Sequence, residues 1–194
     1  VCASSEVFGR VPKEFLPIHE DVQFHPASPY AISKVGTDLI GRFYAEAYGL
    51  TVMTTRMFTH TGPRRGDVFA ESTFAKQIAM IEAGLQEPVI KVGYYMLVTN
   101  NPTAGEYYKI GGTFSCTVRD MLEYLVSLST VDNIKIEIEP DRLRPIDADL
   151  QVPDTSKFKN HTGWEPQISF EKTMQDLLNY WRESVTSGRR FLSR

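Results

Sequence analysis

An alternation of helix-like and strand-like segments is the feature that most constrains the fold of this chain. Residues 29–49 carry apolar side chains at helical spacing, and residues 50–58 (LTVMTTRMF) are rich in β-branched residues. Further strands are predicted at 88–92, 107–110 and 134–138, and further helices at 73–82, 118–128, 154–160 and 169–181. This pattern predicts an α/β fold on a parallel sheet, and 194 residues are enough for one domain with a real core.

Charge and cysteine content exclude several classes of protein. The net charge of −3 offers no basic surplus for nucleic acid, and no segment has the length and apolarity of a membrane span or a signal peptide. Cys2 and Cys116 are too few for a disulfide framework, so we expect free thiols and a cytoplasmic protein. No His, Cys and Asp residues have metal-ligand spacing, so we expect no metal.

Tyr30 and Lys34 are four residues apart in the predicted helix that Ser28 caps and Pro29 begins. Residues at this spacing share one helix face, so the Lys34 ammonium is expected near the Tyr30 ring. A neighbouring cation stabilises a phenolate, which can then accept a proton from a substrate hydroxyl. The same spacing also occurs by chance in many helices, so the pair needs support from other residues.

That support comes from the segment SSEVFG at residues 4–9, which follows a predicted strand. The Ser4 hydroxyl can hydrogen-bond a substrate oxygen, and the Glu6 carboxylate can reach the same substrate. A loop carboxylate that only caps a helix is the alternative for Glu6, and a turn residue is the alternative for Ser5.

Several motifs together resemble the extended short-chain dehydrogenase/reductase family. They are SSEVFG, then SPY-x-x-x-K, then THTGPRRG, and near the end of the chain RPID, DTSK and GWEP. The resemblance is to the nucleotide-sugar branch of GDP-mannose 4,6-dehydratases and GDP-4-keto-6-deoxymannose reductases. It covers essentially all 194 residues, and the motifs are specific jointly but not singly.

The resemblance implies a Rossmann-like parallel sheet with a small C-terminal substrate domain. Residues 1–92 would form the C-terminal part of the Rossmann-like domain, with the catalytic tyrosine and lysine and the arginine loop. Residues 93–194 would be mostly the substrate-binding domain, with elements interleaved back into the sheet. The glycine-rich phosphate-binding turn is absent from this sequence, so we expect missing segments before residue 1 and near 93/94. A natural truncation is the alternative.

The family's chemistry implies four catalytic residues and a bound NADP or NAD. Tyr30, assisted by Ser4, would take the proton of the sugar 4-hydroxyl. Lys34 would support the tyrosine and bond the cofactor ribose, and Tyr30 would also contact the cofactor. Glu6 would remove the C5 proton and help water leave from C6.

The loop THTGPRRG at 59–66 resembles a dehydratase loop that contacts the dinucleotide across a subunit interface, which would imply a tetramer. His60, Arg64 and Arg65 would therefore contact cofactor, although a structural role is favoured over a catalytic one for His60. A solvated basic loop is the alternative for the two arginines. Thr59 replaces the family's asparagine, and Thr73 replaces a lysine that Lys76 could substitute one turn along.

The resemblance assigns substrate binding to five residues: Ser5, Thr59, Lys76, Arg144 and Asp147. Arg144 and Asp147 would hold the nucleotide ribose and phosphate, and a surface ion pair worth ~0–1 kcal/mol is their alternative.

Three functions remain open on the sequence. Glu6 and the Pro-Arg-Arg-Gly loop favour a 4,6-dehydratase that acts on GDP-mannose, a GDP-linked sugar nucleotide. The helix TFAKQIA at 73–79 instead resembles the reductases and favours a reductase or an epimerase of the same branch. A non-catalytic dinucleotide-binding protein is disfavoured, because both Tyr30 and Lys34 are present. The family also implies a homodimer or homotetramer, paired through the Tyr30 helix and the helix after the Arg64 loop.

Overall fold

The computed structural model describes residues 1–92, 107–108, 116–139, 152–156, 159–160, 163 and 165–188. The chain forms two compact, interleaved units. The first contains Val1–His60, Glu106–Ser115 and Arg144–Glu165, and the second contains Thr61–Gly105, Cys116–Leu143 and Pro166–Arg194. The compact units therefore do not follow the division expected near residue 92, and a functional division at that point stays a prediction.

The described elements alternate between helices and strands. The helices are α1 (Pro29–Tyr48), α2 (Ala70–Glu82), α3 (Val118–Ser127) and α4 (Phe170–Thr186). The strands are β1 (Val89–Val92), β2 (Tyr107–Tyr108), β3 (Cys116–Thr117) and β4 (Lys135–Ile138), and two 3₁₀ helices span Ser5–Phe8 and Lys13–Phe15. The predicted α/β class is confirmed, while residues 109–110 of the third predicted strand and residues 157–158 of the predicted helix at 154–160 lie outside the described residues.

Two parallel backbone segments pair in the first unit through the bridge between Cys2 and Thr55. The N–H of Thr55 donates to the carbonyl of Val1, and the N–H of Ala3 donates to the carbonyl of Thr55, both at 2.9 Å. The N–H of Ser5 then donates to the carbonyl of Met57, also at 2.9 Å. Pairing of the predicted strand at 50–58 is therefore concentrated at its carboxyl end, where the first candidate site residues begin.

The long loop after the first segment carries its own small core. Val7, Phe8, Val11 and Ile18 are buried together. Partly buried apolar side chains surround them, contributed by Leu16, Val22, Phe24, Val35 and Phe58. Because Val35 belongs to α1, this cluster attaches the loop to the helix that carries the tyrosine and lysine.

The second unit contains a parallel strand pair covered by helices. Strand β1 pairs with β4 in the register Val89↔Lys135 to Val92↔Ile138. Helix α2 packs against β1, α3 and α4, and buried side chains from all three helices fill the space between them. Apolar burial of this kind contributes ~25 cal/mol per Å² and supplies most of the stabilisation of such a unit.

Candidate active site

The N-terminus of α1 presents Tyr30 in its first turn. The Ser28 hydroxyl accepts a hydrogen bond from the N–H of Ala31 at 3.0 Å, and Pro29 begins the helix. The helix runs for 20 residues and ends at Gly49, whose φ is 64°. Tyr30 is 53% exposed, so its phenol is open to a ligand.

The spacing prediction for Tyr30 and Lys34 is realised in three dimensions. The Lys34 Nζ lies 5.7 Å from the centre of the Tyr30 ring. The same ammonium donates a hydrogen bond of 3.1 Å to the backbone carbonyl of Cys2. Lys34 therefore links α1 to the first of the two parallel segments. This hydrogen bond helps to hold the Lys34 ammonium near the tyrosine.

The segment that bears Glu6 begins where the first parallel segment ends. The Ser4 hydroxyl accepts from the N–H of Glu6 at 3.3 Å and thereby caps the 3₁₀ helix Ser5–Phe8. Ser4 and Ser5 are buried, whereas Glu6 is exposed. This 3₁₀ helix packs directly against α1. The structure thus places the carboxylate-bearing helix beside the helix of Tyr30 and Lys34.

Gly9 explains how the two helices come so close. Its φ is 54°, and a Cβ at this position would lie 1.9 Å from the carbonyl oxygen of His25. The N–H of His25 also donates to the carbonyl of Val7 at 2.9 Å. Only glycine allows this approach, which fixes the turn after Glu6 against the chain that enters α1.

Thr59 and His60 follow the second parallel segment. Ser4 and Thr59 thus lie at the carboxyl ends of two paired parallel segments, the region where α/β proteins bind ligands. Thr59 is partly buried. The exposed His60 donates through Nδ1 to the carbonyl of Phe58, a local contact that agrees with a structural role.

The two arginines of the basic loop, both in the second unit, have different environments. The Arg65 guanidinium carbon lies 3.4 Å from the centre of the Phe69 ring, and its Nε is 3.3 Å from Oε1 of the buried Glu71. Arg64 is exposed and has a φ of 72°, a conformation that costs about 1 kcal/mol or more for a residue with a side chain. Arg64 is therefore available to a phosphate, whereas Arg65 is already paired.

Lys76 lines an open groove of about 530 Å³ in the second unit. Its Nζ lies 2.6 Å from Oδ2 of Asp67 and 5.6 Å from the centre of the Trp181 ring. The groove also contains amide and charged side chains, including Gln77, Glu87 and Lys91. A ligand phosphate at this groove would have to compete with Asp67 for the Lys76 ammonium.

Arg144 and Asp147 lie outside the described residues. Within the described part of the chain, no three His, Cys, Asp or Glu side chains are grouped to hold a metal ion. None of the described helices is long and apolar enough to cross a bilayer.

Two polar contacts were not anticipated from the sequence. Asp38 in α1 is buried and pairs with Arg56, and Gln77 in α2 hydrogen-bonds the backbone of Lys91. A charged residue one turn after Lys34 was the available signal for Asp38. No local pattern indicates the partner of either residue, because each contact joins segments distant in sequence.

A tyrosine and a lysine on one helix, beside the carboxyl ends of parallel segments, define a protein of the short-chain dehydrogenase/reductase class. The family model for GDP-mannose 4,6 dehydratase matches residues 1–110 and 99–177, and the chain belongs to this family. The family resemblance of the sequence motifs is thereby confirmed.

Relatives carry two different enzymatic names. GDP-6-deoxy-D-mannose reductase of Pseudomonas aeruginosa is 27% identical over 94% of this chain and 65% of its own length. GDP-mannose 4,6 dehydratase 1 of Arabidopsis thaliana is 31% identical over 91% of this chain and 52% of its own length. The chain therefore spans roughly half to two thirds of the length of these relatives.

Solved structures confirm the Rossmann-type fold. The NADPH complex of RMD from Pseudomonas aeruginosa has a TM-score of 0.81 at 23% identity, and the match covers 94% of this chain and 65% of that one. The NAD complex of dTDP-glucose 4,6-dehydratase from Bacillus anthracis has a TM-score of 0.76 at 19% identity, covering 95% and 61% of the two chains. Both of these structures are complexes with a nicotinamide dinucleotide.

Proposed function

We propose that the full-length protein is a nucleotide-sugar 4,6-dehydratase that converts GDP-mannose to GDP-4-keto-6-deoxymannose. The observation that supports this most directly is the packing of the 3₁₀ helix of Glu6 against the helix of Tyr30 and Lys34. A dehydratase needs a carboxylate beside the tyrosine and lysine because it must break a C–H and a C–O bond, whereas an epimerase does not.

The residues present fit a nicotinamide dinucleotide, NADP or NAD. The Tyr30 phenol is half exposed, and the Lys34 ammonium is held near it by the Cys2 carbonyl, where it can also bond a ribose hydroxyl. The exposed Arg64 could bind phosphate, and His60 lies after the second parallel segment. When bound, such a cofactor supplies the hydride acceptor and donor that the protein itself lacks.

Each catalytic side chain has a defined task on the substrate. Tyr30, assisted by the Ser4 hydroxyl, accepts the proton of the sugar 4-hydroxyl as that carbon becomes a ketone. Lys34 stabilises the phenolate that performs this step. Glu6 removes the C5 proton, which the 4-ketone acidifies, and protonates the departing C6 hydroxyl. The hydride taken from C4 would return to C6 while Tyr30 gives its proton back to C5, so the substrate loses one water in total.

Substrate binding falls to Ser5, Thr59 and Lys76 together with Arg144 and Asp147. The paired state of Arg65 favours Arg64 as the loop's phosphate contact and Arg65 as a residue that holds the loop in place. We also propose a cytoplasmic enzyme that assembles as a homodimer or homotetramer, with α1 at the subunit contact.

The test uses the full-length protein with GDP-mannose and a catalytic amount of NADP, followed by mass spectrometry for loss of one water. Tyr30→Phe and Glu6→Gln should each lower turnover about 10²-fold or more while cofactor binding is retained. Glu14→Gln removes another exposed carboxylate of the same loop and should leave turnover unchanged. Full turnover by Glu6→Gln would refute the proposed role of Glu6.

A reductase is the second candidate, and the similarity to the Pseudomonas reductase over 94% of this chain favours it. Its substrate would be a 4-keto-6-deoxy sugar nucleotide, and it would consume one NADPH per turnover. Net oxidation of NADPH therefore separates the two functions. A Tyr30→Phe variant with full biological function would point instead to a non-catalytic dinucleotide-binding protein.

A further inference from the structure

Asp38 is a buried carboxylate on the helix of the candidate catalytic pair. Only 2% of its side chain is exposed, and it lies one turn after Lys34 in α1. The Arg56 Nε donates to Oδ2 at 2.7 Å, and Nη2 donates to Oδ1 at 3.2 Å. A carboxylate is stable in such a place only when it is paired, and this two-pronged pair meets that need.

Arg56 reaches two further parts of the first unit. Its Nη1 donates to the carbonyl of Glu20 at 2.7 Å. Its guanidinium carbon lies 4.7 Å from the centre of the Phe24 ring and 5.6 Å from that of Phe8. Phe8 is the last residue of the 3₁₀ helix that contains Glu6. One planar cation therefore contacts α1, the loop at 20–24 and the helix of the candidate elimination base.

The guanidinium has the shape that this junction requires. It is planar, stays charged and presents five donors in a rigid fork, so its in-plane partners and its stacked rings are fixed together. A lysine could supply the charge, but it could not contact Asp38, the Glu20 carbonyl and the Phe24 ring with the same fixed geometry. A displacement of about 1 Å in a reacting group can cost about 10²-fold in rate, so a rigid junction next to Glu6 has a direct chemical consequence.

We propose that Arg56, paired with Asp38, is a positioning residue that holds Glu6 in register with Tyr30 and Lys34. Arg56 acts through Phe8 and α1, and it touches neither substrate nor cofactor. The effect of Arg56 on catalysis by Glu6 rests on the proposed dehydratase function. The geometric claim, that Arg56 fixes the 3₁₀ helix against α1, is independent of that function.

Arg42 provides a matched control. Its Nη2 lies 3.8 Å from Oδ1 of the same Asp38, but its side chain is 54% exposed. Arg42→Met removes one positive charge from the same carboxylate without touching Phe8, Phe24 or the Glu20 carbonyl. A purely electrostatic role of the pair would give Arg42→Met a weaker form of the Arg56→Met defect, whereas positioning leaves Arg42→Met at the wild-type rate.

The kinetic test compares Arg56→Met, Arg56→Lys and Arg42→Met in the full-length protein. We expect Arg56→Met to lower kcat about 10²-fold with KM within about twofold, Arg56→Lys to recover part of the loss, and Arg42→Met to match wild type. With GDP-mannose deuterated at C5 or at C4, the C5 isotope effect should rise relative to the C4 effect in Arg56→Met. A folded Arg56→Met enzyme with wild-type kcat would overturn the proposal.

Amide hydrogen exchange separates the failure of this inference from the failure of the proposed function. If the wild-type protein releases no water from GDP-mannose, the dehydratase proposal fails and the geometric claim is still measured. Amides of the 3₁₀ helix and Gly9 should then exchange faster in Arg56→Met, while those at the centre of α1 stay protected. Equal exchange rates in the wild type and Arg56→Met would refute the positioning role. If Arg56→Met does not fold, the same comparison is made with Asp38→Asn.

Discussion

The side-chain amide of Gln77 pairs with the backbone of Lys91 much as a neighbouring strand would. Its Oε1 accepts from the N–H of Lys91 at 2.8 Å, and its Nε2 donates to the carbonyl of Lys91 at 3.1 Å. Gln77 is buried in α2 and Lys91 belongs to β1. One side chain therefore holds the helix and the strand of the second unit in a fixed register beside the groove.

Replacement of this amide should destabilise the second unit. Gln77→Met keeps the length of the side chain but leaves both polar groups of Lys91 without their partner, so we expect a loss of about 2 kcal/mol in the free energy of unfolding. Urea denaturation of the full-length protein measures this change. Gln86→Met removes a hydrogen bond of 2.7 Å to the Val89 carbonyl and a longer one to Gln77, and should cost less. Equal stability of Gln77→Met and wild type would contradict the prediction.

A methyl group at Gly9 should disturb both stability and activity. Gly9→Ala places a Cβ against the His25 carbonyl and imposes a positive φ on alanine, so we expect a loss of about 2 kcal/mol or more. Turnover should also fall, because the 3₁₀ helix of Glu6 must move. Gly36→Ala is the control, since nothing lies within 4 Å of a Cβ there and alanine should stabilise α1 by about 0.5–1 kcal/mol. Thermal unfolding and turnover of both variants test the contrast.

Local signals made the helices predictable. The cap expected at Ser28 accepts a hydrogen bond from a backbone N–H in the first turn of α1, and Thr117 and Ser169 cap α3 and α4 in the same way. The buried face of α1 was less accessible to sequence reasoning. Its periodic apolar residues Ile32, Leu39 and Phe43 are exposed, whereas Ala31, Asp38 and Gly41 are buried. Periodicity counts large apolar side chains, but the close approach of Val1 to Gly41 requires a small residue.

The candidate site was also predictable only where it depends on local spacing. Tyr30 and Lys34 meet because their spacing is local, and helix geometry dictates the contact. The neighbourhood of Glu6 depends instead on contacts between distant segments, such as Gly9 with His25 and Arg56 with Asp38. Motif resemblance identified Tyr30, Lys34 and Glu6. It could not predict the contacts around Glu6, because tertiary packing rather than sequence spacing determines them.

The Glu82–Arg182 pair should make stability depend on pH. Burial raises the pKa of Glu82, but hydrogen bonds from Arg182 and the Thr130 N–H outweigh it and hold this pKa below its usual value of 4.5. Because the folded-state pKa is depressed, the stabilisation is complete above pH 4.5 and is lost as the pH falls through the folded-state pKa. We expect Glu82→Gln to lower the free energy of unfolding by about 2 kcal/mol at pH 7. In acid, the free energies of unfolding of the variant and the wild type should converge.

Urea unfolding at a series of pH values measures this dependence. Glu123→Gln is the control, because its pair with Arg119 spans 3.8 Å and 59% of the Glu123 side chain is exposed. Its effect should stay below about 0.5 kcal/mol at every pH. A constant difference between Glu82→Gln and wild type from pH 7 into acid would rule out the linkage.

The Asp67–Lys76 pair gives a test of whether Lys76 binds substrate. Asp67 holds the Lys76 ammonium at 2.6 Å, so a ligand phosphate has to displace this carboxylate. Asp67→Asn removes the competing charge and should tighten GDP binding about threefold to tenfold, equivalent to about 1 kcal/mol. Glu87→Gln removes a carboxylate from the same groove without releasing Lys76, so it measures the general effect of charge. Isothermal titration with GDP distinguishes the two, and a similar gain in both variants would mean that Lys76 does not contact the diphosphate.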